Sequence, residues 1–569
     1  MWSSQAGSLL LWAWVLSIAS SAVLFATRNR HREIVPYATA VLMGLGTFFI
    51  GLMLLAPDAR PFTQLSPAPA EGAGLNPLLR HWAMLMHPPM LYSGYVFFSV
   101  PFAFAVGALI TRRLDASWIR TTRRFALIAW TFLSIGLLLG AFWSYNELGW
   151  GGYWAWDPVE NAALMPWLLG TAFLHSVMVQ EKRGMLRTWN VSLIVATFAL
   201  SLLGTFLVRS GVLQSIHAFG DSTVGPPLLG LLAVVVIGST ALIVWRSREL
   251  RAERRIDSLA SREAVFLVNN LLLVSLCAVV FWGTFFPLTS ELFTGDEASL
   301  AAPWFDRYTT PVAVLLVLFT GVGPLLAWRR VSWGSARRVF LWPLVAAGVA
   351  LAGLAAFTDA VGDAWALAVF VLAAFTLVAL GQELWRGAAA RRQLSGGSVP
   401  GSVLAVAARN RRRYGGYVVH AGLVLLLVGI AASSSFQTNR DVSLRPGESA
   451  EVGGYRLTYE RPTVDVTNER VAFGAVLAVD RDGERVTKLA PTRNFYRPNG
   501  EPTGPISSYF DGEATSEVGL RTGLRRDLWT AVQPDVRAVQ RTAVAADRGF
   551  RDCLRGEPGT PPACDALAA

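Results

Sequence analysis

Cysteine is nearly missing, with three in 569 residues. That excludes a disulfide framework and leaves no zinc spacing. Cys277 falls inside an apolar run, where a thiol packs as a small apolar group, and Cys553 and Cys564 fall in the C-terminal tail, where they could pair only in an oxidising compartment. No CxxCH occurs, so the chain carries no covalent c-type haem of its own. Histidine is scarce as well, at six residues, so each can be weighed singly. No internal repeat is visible. The net charge of +11 does not point to nucleic acid, because the basic residues mostly occupy short loops between apolar runs, where positive charge sets membrane orientation.

What the chain has in quantity is apolar length: 53 % hydrophobic residues and a mean hydropathy of +0.42. Apolar runs near bilayer-spanning length occur at 8–26, 37–56, 90–110, 125–142, 158–180, 190–208, 227–245, 264–286, 311–328, 339–357, 365–384 and 415–432. The first lacks a basic n-region and ends in RNRHR, so it reads as a spanning helix with its N-terminus outside rather than a cleaved signal. The basic loops TRRLDASWIRTTRR, EKRGMLR, RSRELRAERR, WRRVSWGSARR and WRGAAARR through RNRRRY fall on one side each time, hence the cytoplasmic side. The fold class is therefore an all-α polytopic membrane bundle of about twelve spans over residues 1–433, both ends outside. Residues 434–535 change character. GYRLTYE alternates like a strand and VAFGAVLAVDRDGERVTKLAP reads as a hairpin around Asp482–Gly483, giving a small β-rich external domain. Residues 536–569 read as a polar, poorly ordered tail.

The external segment 143–161 is the chain's most unusual stretch. Trp150, Tyr153, Trp154 and Trp156 crowd into seven residues, and Gly149, Gly151 and Gly152 argue for an irregular platform rather than a helix. Asp157, Pro158 and Glu160 then suit the N-cap, first and third positions of a helix with a capping box. Two readings compete: an interfacial aromatic belt, and a stacking surface for a large flat ligand. The density of Trp in one Gly-rich loop favours the second.

His31 lies in a basic loop as a solvated charge, and His81 in an external loop without distinctive context. His175 lies 17 residues beyond Pro158, about 26 Å down its helix, and His420 lies seven beyond Arg413, about 10 Å into its own. Entering from opposite directions, the two reach nearly equal depth in the cytoplasmic half. An intramembrane His is costly and expects a partner. A hydrogen bond to a neighbouring helix would satisfy either one, and two facing imidazoles would ligate a six-coordinate b-type haem. His87, in LMHPPMLYSGY ahead of an external helix start, and His217, in VRSGVLQSIHAFG after an external helix exit, can stand level with the Trp platform. They read either as ordinary interfacial histidines or as axial ligands of an edge-exposed haem. A zinc variant lacks a third ligand type.

WGGYWAWDPVEN resembles the Trp-rich signature (WWD motif) of the haem-handling proteins of cytochrome c maturation. GLNPLLRHWAMLMHPPMLYSGY, TFLVRSGVLQSIHAF, GSLLLW and YVVHAGLVLLLVG are similar to the haem lyase family of the multi-component bacterial pathway, the CcmF type. The resemblance implies a heme lyase of the cytoplasmic (inner) membrane, multi-pass, with its catalytic face and C-terminal domain in the periplasm. It implies that His87 and His217 ligate the transferred haem beside Trp150, Trp154, Trp156 and Asp157. Gly151, Gly152, Tyr153, Glu160, Asn161 and Arg209 would support that site. It implies that His175 and His420 ligate an intramembrane haem b that serves as electron donor, with a quinol as candidate reductant. The partners implied are a haem chaperone (CcmE-like), apocytochrome c and its thiol-handling subunits (CcmH-like), and the lipid bilayer. Tyr153 stands where the family often has Trp. Against the family pattern the chain is expected to be trimmed, since GSLLLW comes almost at once and PPACDALAA closes it without a further span. A haem exporter, a loader serving only the chaperone and a haem-free scaffold remain as rival classes. An exporter needs polar residues along several helices, and a loader has no use for an intramembrane His pair.

Overall fold

The computed structural model describes residues 2–64, 66–68, 74–213, 215, 222–251, 256–498, 505–512 and 514–555. The chain divides into two compact units. A helical unit comprises Met1–Pro61, Met90–Ile135 and Ala155–Gln437, and a β unit comprises Phe62–Pro89, Gly136–Trp154 and Thr438–Ala569.

The helices are α1 (Gln5–Thr27), α2 (Val35–Leu55), α3 (Trp82–Phe97), α4 (Ser99–Thr111), α5 (Ser117–Glu147), α6 (Pro158–Arg183), α7 (Arg187–Ser210), α8 (Gly225–Trp245), α9 (Arg262–Thr294), α10 (Ala302–Leu325), α11 (Trp333–Phe357), α12 (Ala364–Ser395), α13 (Val399–Arg409) and α14 (Arg411–Phe436). Twelve spans among the described residues are long and apolar enough to cross a membrane, with α3 and α4 forming one. Each coincides with one of the apolar runs read from the sequence, and the protein is a multi-pass membrane protein with a C-terminal β domain. Within the helical unit α6 packs on α7 and α9, and α12 packs on α10, α11 and α14.

Two local departures from the sequence reading have physical causes. α3 starts at Trp82 rather than at Met90. The His81 ring accepts from the Ala83 amide at 3.2 Å and its carbonyl from Met84 at 3.0 Å, which caps a helix ahead of the prolines. Pro88 and Pro89 have the φ a helix needs, so His87 lies inside the helix rather than before it. The basic connection after α12 contains α13, an Ala- and Val-rich helix whose N-cap Ser398 accepts from the Gly401 amide.

In the β unit a six-stranded antiparallel sheet has the order β1-β2-β3-β5-β6, with β4 paired to β3. Its strands are β1 (Ser449–Val452), β2 (Tyr455–Val466), β3 (Arg470–Arg481), β4 (Glu484–Leu489), β5 (Thr492–Tyr496) and β6 (Ala514–Glu517). A second ladder joins β7 (Gly519–Arg521) to β8 (Leu528–Thr530). The β3–β4 hairpin turns at Asp482 (φ 53°) and Gly483 (φ 86°), the two left-handed residues a type I′ turn requires. Alternate residues Tyr455, Leu457, Leu477, Val479 and Leu489 bury one face with Leu528. Residues Arg537–Arg555, read as a polar tail, form α15. Asp547 on it accepts from the Ile506 and Ser507 amides at 2.8 and 2.7 Å, which ties the helix to the unit.

Candidate functional site

The aromatic stretch is irregular, as its glycines demand. It falls across the two units, with Trp150–Trp154 in the β unit and Ala155 onward in the helical unit. In the β unit, Gly149 and Gly151 take φ of 74° and 80°. A Cβ at Gly152 would lie 1.9 Å from the Trp150 ring, so only glycine admits that ring, which is 47 % exposed. The Gly152 carbonyl accepts from Ser144 Oγ at 3.2 Å, and Trp529 of β8 donates from its indole to the Tyr145 carbonyl at 3.1 Å. Tyr153 and Trp154 are part-buried.

In the helical unit, Trp156 adopts φ of 58°, a left-handed conformation that non-glycine residues enter at a cost. Its ring stacks on Phe305 at 4.8 Å and 7°, and its Nε1 donates to Asp306 at 3.1 Å. Gly283 on α9 makes room for Phe305, because a Cβ there would fall 2.4 Å from that ring. The carbonyl of Trp156 accepts from Asn161 Nδ2 at 2.9 Å, and Asn161, fully buried, also donates to Thr284 at 3.0 Å. Asp157 caps α6 by accepting from Val159 N and from Ser215 Oγ, and Glu160 accepts from the Ala155 and Asp157 amides. This is the capping box read from the sequence. Arg209, buried at the end of α7, donates to Ser8 Oγ at 2.9 Å, to the Thr205 carbonyl at 3.3 Å and to Tyr92 OH at 3.4 Å. It thereby ties α1, α3 and α7 together.

His175 and His420 meet. Their ring centres lie 5.9 Å apart and their planes differ by 5°. Nδ1 of His175 donates to the Thr171 carbonyl at 2.8 Å. That fixes the tautomer and leaves Nε2 with the lone pair. Nδ1 of His420 is buried without a hydrogen-bond partner, which is unusual for a polar atom inside a protein. The two helices are joined beyond the rings by Glu181 of α6, which accepts from Arg412 of α14 at 2.5 Å and from Arg123 of α5 at 2.6 Å. Phe266 of α9 stands 5.9 Å from the His175 ring.

His87 lies in the β unit. Its Nδ1 donates to the Gly136 carbonyl at 2.8 Å, and Gly140 leaves the space its ring fills. His217 lies outside the described residues, as do Cys564 and the side chain of Cys553. His81 packs beside Trp82 and Phe142, and burial pushes its imidazole below the usual range. His31 bonds Thr121 at 2.7 Å rather than standing free in solvent. Sequence reasoning missed Phe266, Thr284, Phe305 and Asp306. The only signal was the second aromatic cluster, WFDRY at the start of α10. Nothing in one sequence says that it meets Trp156.

The profile described as Cytochrome C assembly protein matches residues 2–215, and the CcmF C-terminal beta-sandwich profile matches residues 435–544. The chain is 39 % identical over 548 residues to the cytochrome c-type biogenesis protein CycK of Rhizobium meliloti, covering 94 % of this chain and 76 % of that one. It is 36 % identical to CcmF of Haemophilus influenzae (94 % and 79 % covered) and 36 % identical to CcmF of Escherichia coli (93 % and 78 %). A solved structure of "Cytochrome c Heme Lyase CcmF" superposes with a TM-score of 0.71 at 33 % identity, over 92 % of this chain and 75 % of that one. On these grounds, and with twelve spans followed by the matching β domain, the chain belongs to the CcmF family of cytochrome c-type biogenesis proteins.

Proposed function

We propose that the protein is a cytochrome c haem lyase that joins haem to the CxxCH segment of apocytochrome c. The observation that carries this reading is the His175–His420 pair. An iron bonded to one nitrogen of each ring, at about 2 Å per bond, holds two imidazole centres about 6 Å apart, and the rings stand 5.9 Å apart. The carbonyl-held Nδ1 of His175 is the outer-shell contact that metal-binding histidines make. A haem b there would supply one-electron reduction, its potential set by ligation and burial. Around it His175 and His420 act as ligands, Phe266 excludes water, and Glu181 keeps α6 and α14 in register. A quinol is the proposed reductant.

The transferred haem is the substrate. Each thioether forms when a Cys S–H adds across a vinyl group: sulfur bonds one carbon, the hydrogen ends on the other, and no net oxidation occurs. The reaction depends on holding the thiol close to one vinyl carbon. We assign His87 as one ligand of that haem and Trp150 and Trp154 as stacking surfaces. His217 is assigned as the second ligand from the family resemblance alone. Trp156 and Asp157 anchor the end of the segment, and the substrate's own His would displace one ligand at release. The haem would come from a CcmE-like chaperone and the thiols from CcmH-like subunits. We place the protein in the inner membrane with its basic loops in the cytoplasm. The domain limits we propose are 1–433, 434–535 and 536–569.

Replacing His175 or His420 with Ala is expected to remove the haem absorbance that co-purifies with the protein; an unchanged spectrum removes the intramembrane haem. His87→Ala is expected to keep that absorbance and stop holocytochrome c formation in cells. Normal formation would remove the assignment of His87.

A further inference from the structure

A carboxylate-bearing ligand needs a cationic edge, and the His175–His420 pair has one on the side of the basic loops. Arg262 opens α9, one turn before Phe266, the residue 5.9 Å from the His175 ring. Its guanidinium donates to the carbonyls of Leu326 (2.8 Å) and Pro324 (2.6 Å) and lies 5.7 Å from the Trp328 ring. Neither acceptor is charged, and no carboxylate pairs with Arg262 among the described residues. The neighbouring Glu263 is committed to Arg183 and to the Arg329 amide. On α14, Arg413 precedes His420 by seven residues, two turns along the same helix face. Tyr417 lies between them and accepts from Arg413 Nε at 2.8 Å. Arg413 also reaches Glu383 at 2.5 Å, but that carboxylate is shared with Arg386 at 3.0 Å. Tyr417, Arg413, Glu383 and Glu263 all lie within electrostatic range of Arg262. The four guanidinium groups of Arg183, Arg262, Arg386 and Arg413 thus face the three carboxylates of Asp257, Glu263 and Glu383, which leaves one positive charge over, and Arg262 has no carboxylate in direct contact among the described residues.

We propose that Arg262 and Arg413 bind the two propionates of the haem assigned to His175 and His420, an inference that rests on that assignment. A propionate within a membrane span is costly unless paired, and a guanidinium fork is the side chain best shaped to pair with it. The ordinary role of basic residues at span ends is to set orientation, and it needs a charge in water. Arg262 instead spends its donors on the part-buried carbonyls of Leu326 and Pro324, near Phe266 and Trp328. Those contacts fix the guanidinium in place and leave its charge for an anion.

The test uses the full chain carrying His87→Ala, made in haem-depleted cells and held in phosphatidylcholine discs. It is titrated in parallel with haem and with haem dimethyl ester, whose propionates carry no charge. The expected result is a low-spin bis-imidazole spectrum with both ligands and at least about tenfold weaker binding of the ester. In the Arg262→Gln, Arg413→Gln double variant the difference between haem and ester should close. Equal binding of haem and ester by the parent chain, with the spectrum intact, overturns the cradle and leaves the His pair as ligands. It does so even if the double variant fails to fold. Failure of both ligands to give the spectrum overturns the His pair itself, whereas loss of the spectrum with the ester alone supports the cradle. A third arm repeats the titration in discs that include phosphatidylglycerol. If the arginines serve a lipid headgroup, this lipid changes haem and ester binding alike and the two ligands remain equal, which also overturns the proposal.

Discussion

Trp156 holds a backbone conformation that its side chain disfavours, and three contacts compensate: the Phe305 stack, the Asp306 hydrogen bond and the Asn161 bond to its carbonyl. Strain kept in this way clusters at functional sites. Gly152 shows the complementary constraint, since the Trp150 ring occupies the place of its missing side chain. Gly152→Ala should therefore move the Trp150 ring without touching α6. Holocytochrome c yield is expected to fall about ten- to a hundredfold, the cost of misplacing a reacting group by about an ångström, while the absorbance assigned to His175 and His420 stays. A yield equal to that of the parent protein would mean that the position of Trp150 is immaterial. At this scale the sequence disclosed the Gly-rich irregularity and the capping box, because both are local. It did not disclose Phe305, Asp306 or Thr284, which lie more than a hundred residues further along the chain and reach the segment only by folding.

Between elements, the His pair depends on how α6, α9 and α14 are held at the end with the basic loops. Arg183 reads in the sequence as an ordinary exit charge, yet it is only 9 % exposed. Its guanidinium lies 2.9 Å from Glu263, itself 2 % exposed, and 2.6 Å from Asp257. Glu263 also receives the Arg329 amide, so one carboxylate joins α6 and α9 to the chain that follows α10. Breaking one partner of such a buried pair typically costs about 3–5 kcal/mol, more than replacing both. Glu263→Gln should thus lower the melting temperature in detergent more than the Arg183→Met, Glu263→Gln double change does. A double variant less stable than the single would show that the two side chains do not act as a pair. The span positions were legible because apolar length is a one-dimensional property. The early start of α3 and the helix α13 were not, since each turns on a cap (His81, Ser398) within a segment whose composition reads as loop.

For the molecule as a whole, charge and topology have to agree. Along the chain Arg112 and Arg113 lie in the connection before α5 with Arg120 in the first turn of α5, and after α12 Arg409 ends α13 and Arg411 opens α14. The connection between α9 and α10 instead carries Asp296 and Glu297 and no basic residue. Basic loops stay in the cytoplasm because translocating them is unfavourable. On the orientation proposed above, this asymmetry would set Trp150 and the β domain on the periplasmic side. The β unit is assembled from three separate stretches of chain, a grouping that hydropathy could not reveal because it follows contacts rather than composition. Orientation can be tested without function. With Cys553 and Cys564 changed to Ser, the remaining Cys277 is buried and nearly silent to thiol reagents. Gln393→Cys, at the exposed end of α12, and Glu297→Cys, in the exposed connection after α9, then each place one accessible thiol. A membrane-impermeant maleimide should label Glu297→Cys in spheroplasts, and Gln393→Cys only after the membrane is opened. The reverse pattern would put Trp150 on the wrong side of the membrane for haem delivery and remove the lyase reading, whatever haem the His175–His420 pair binds.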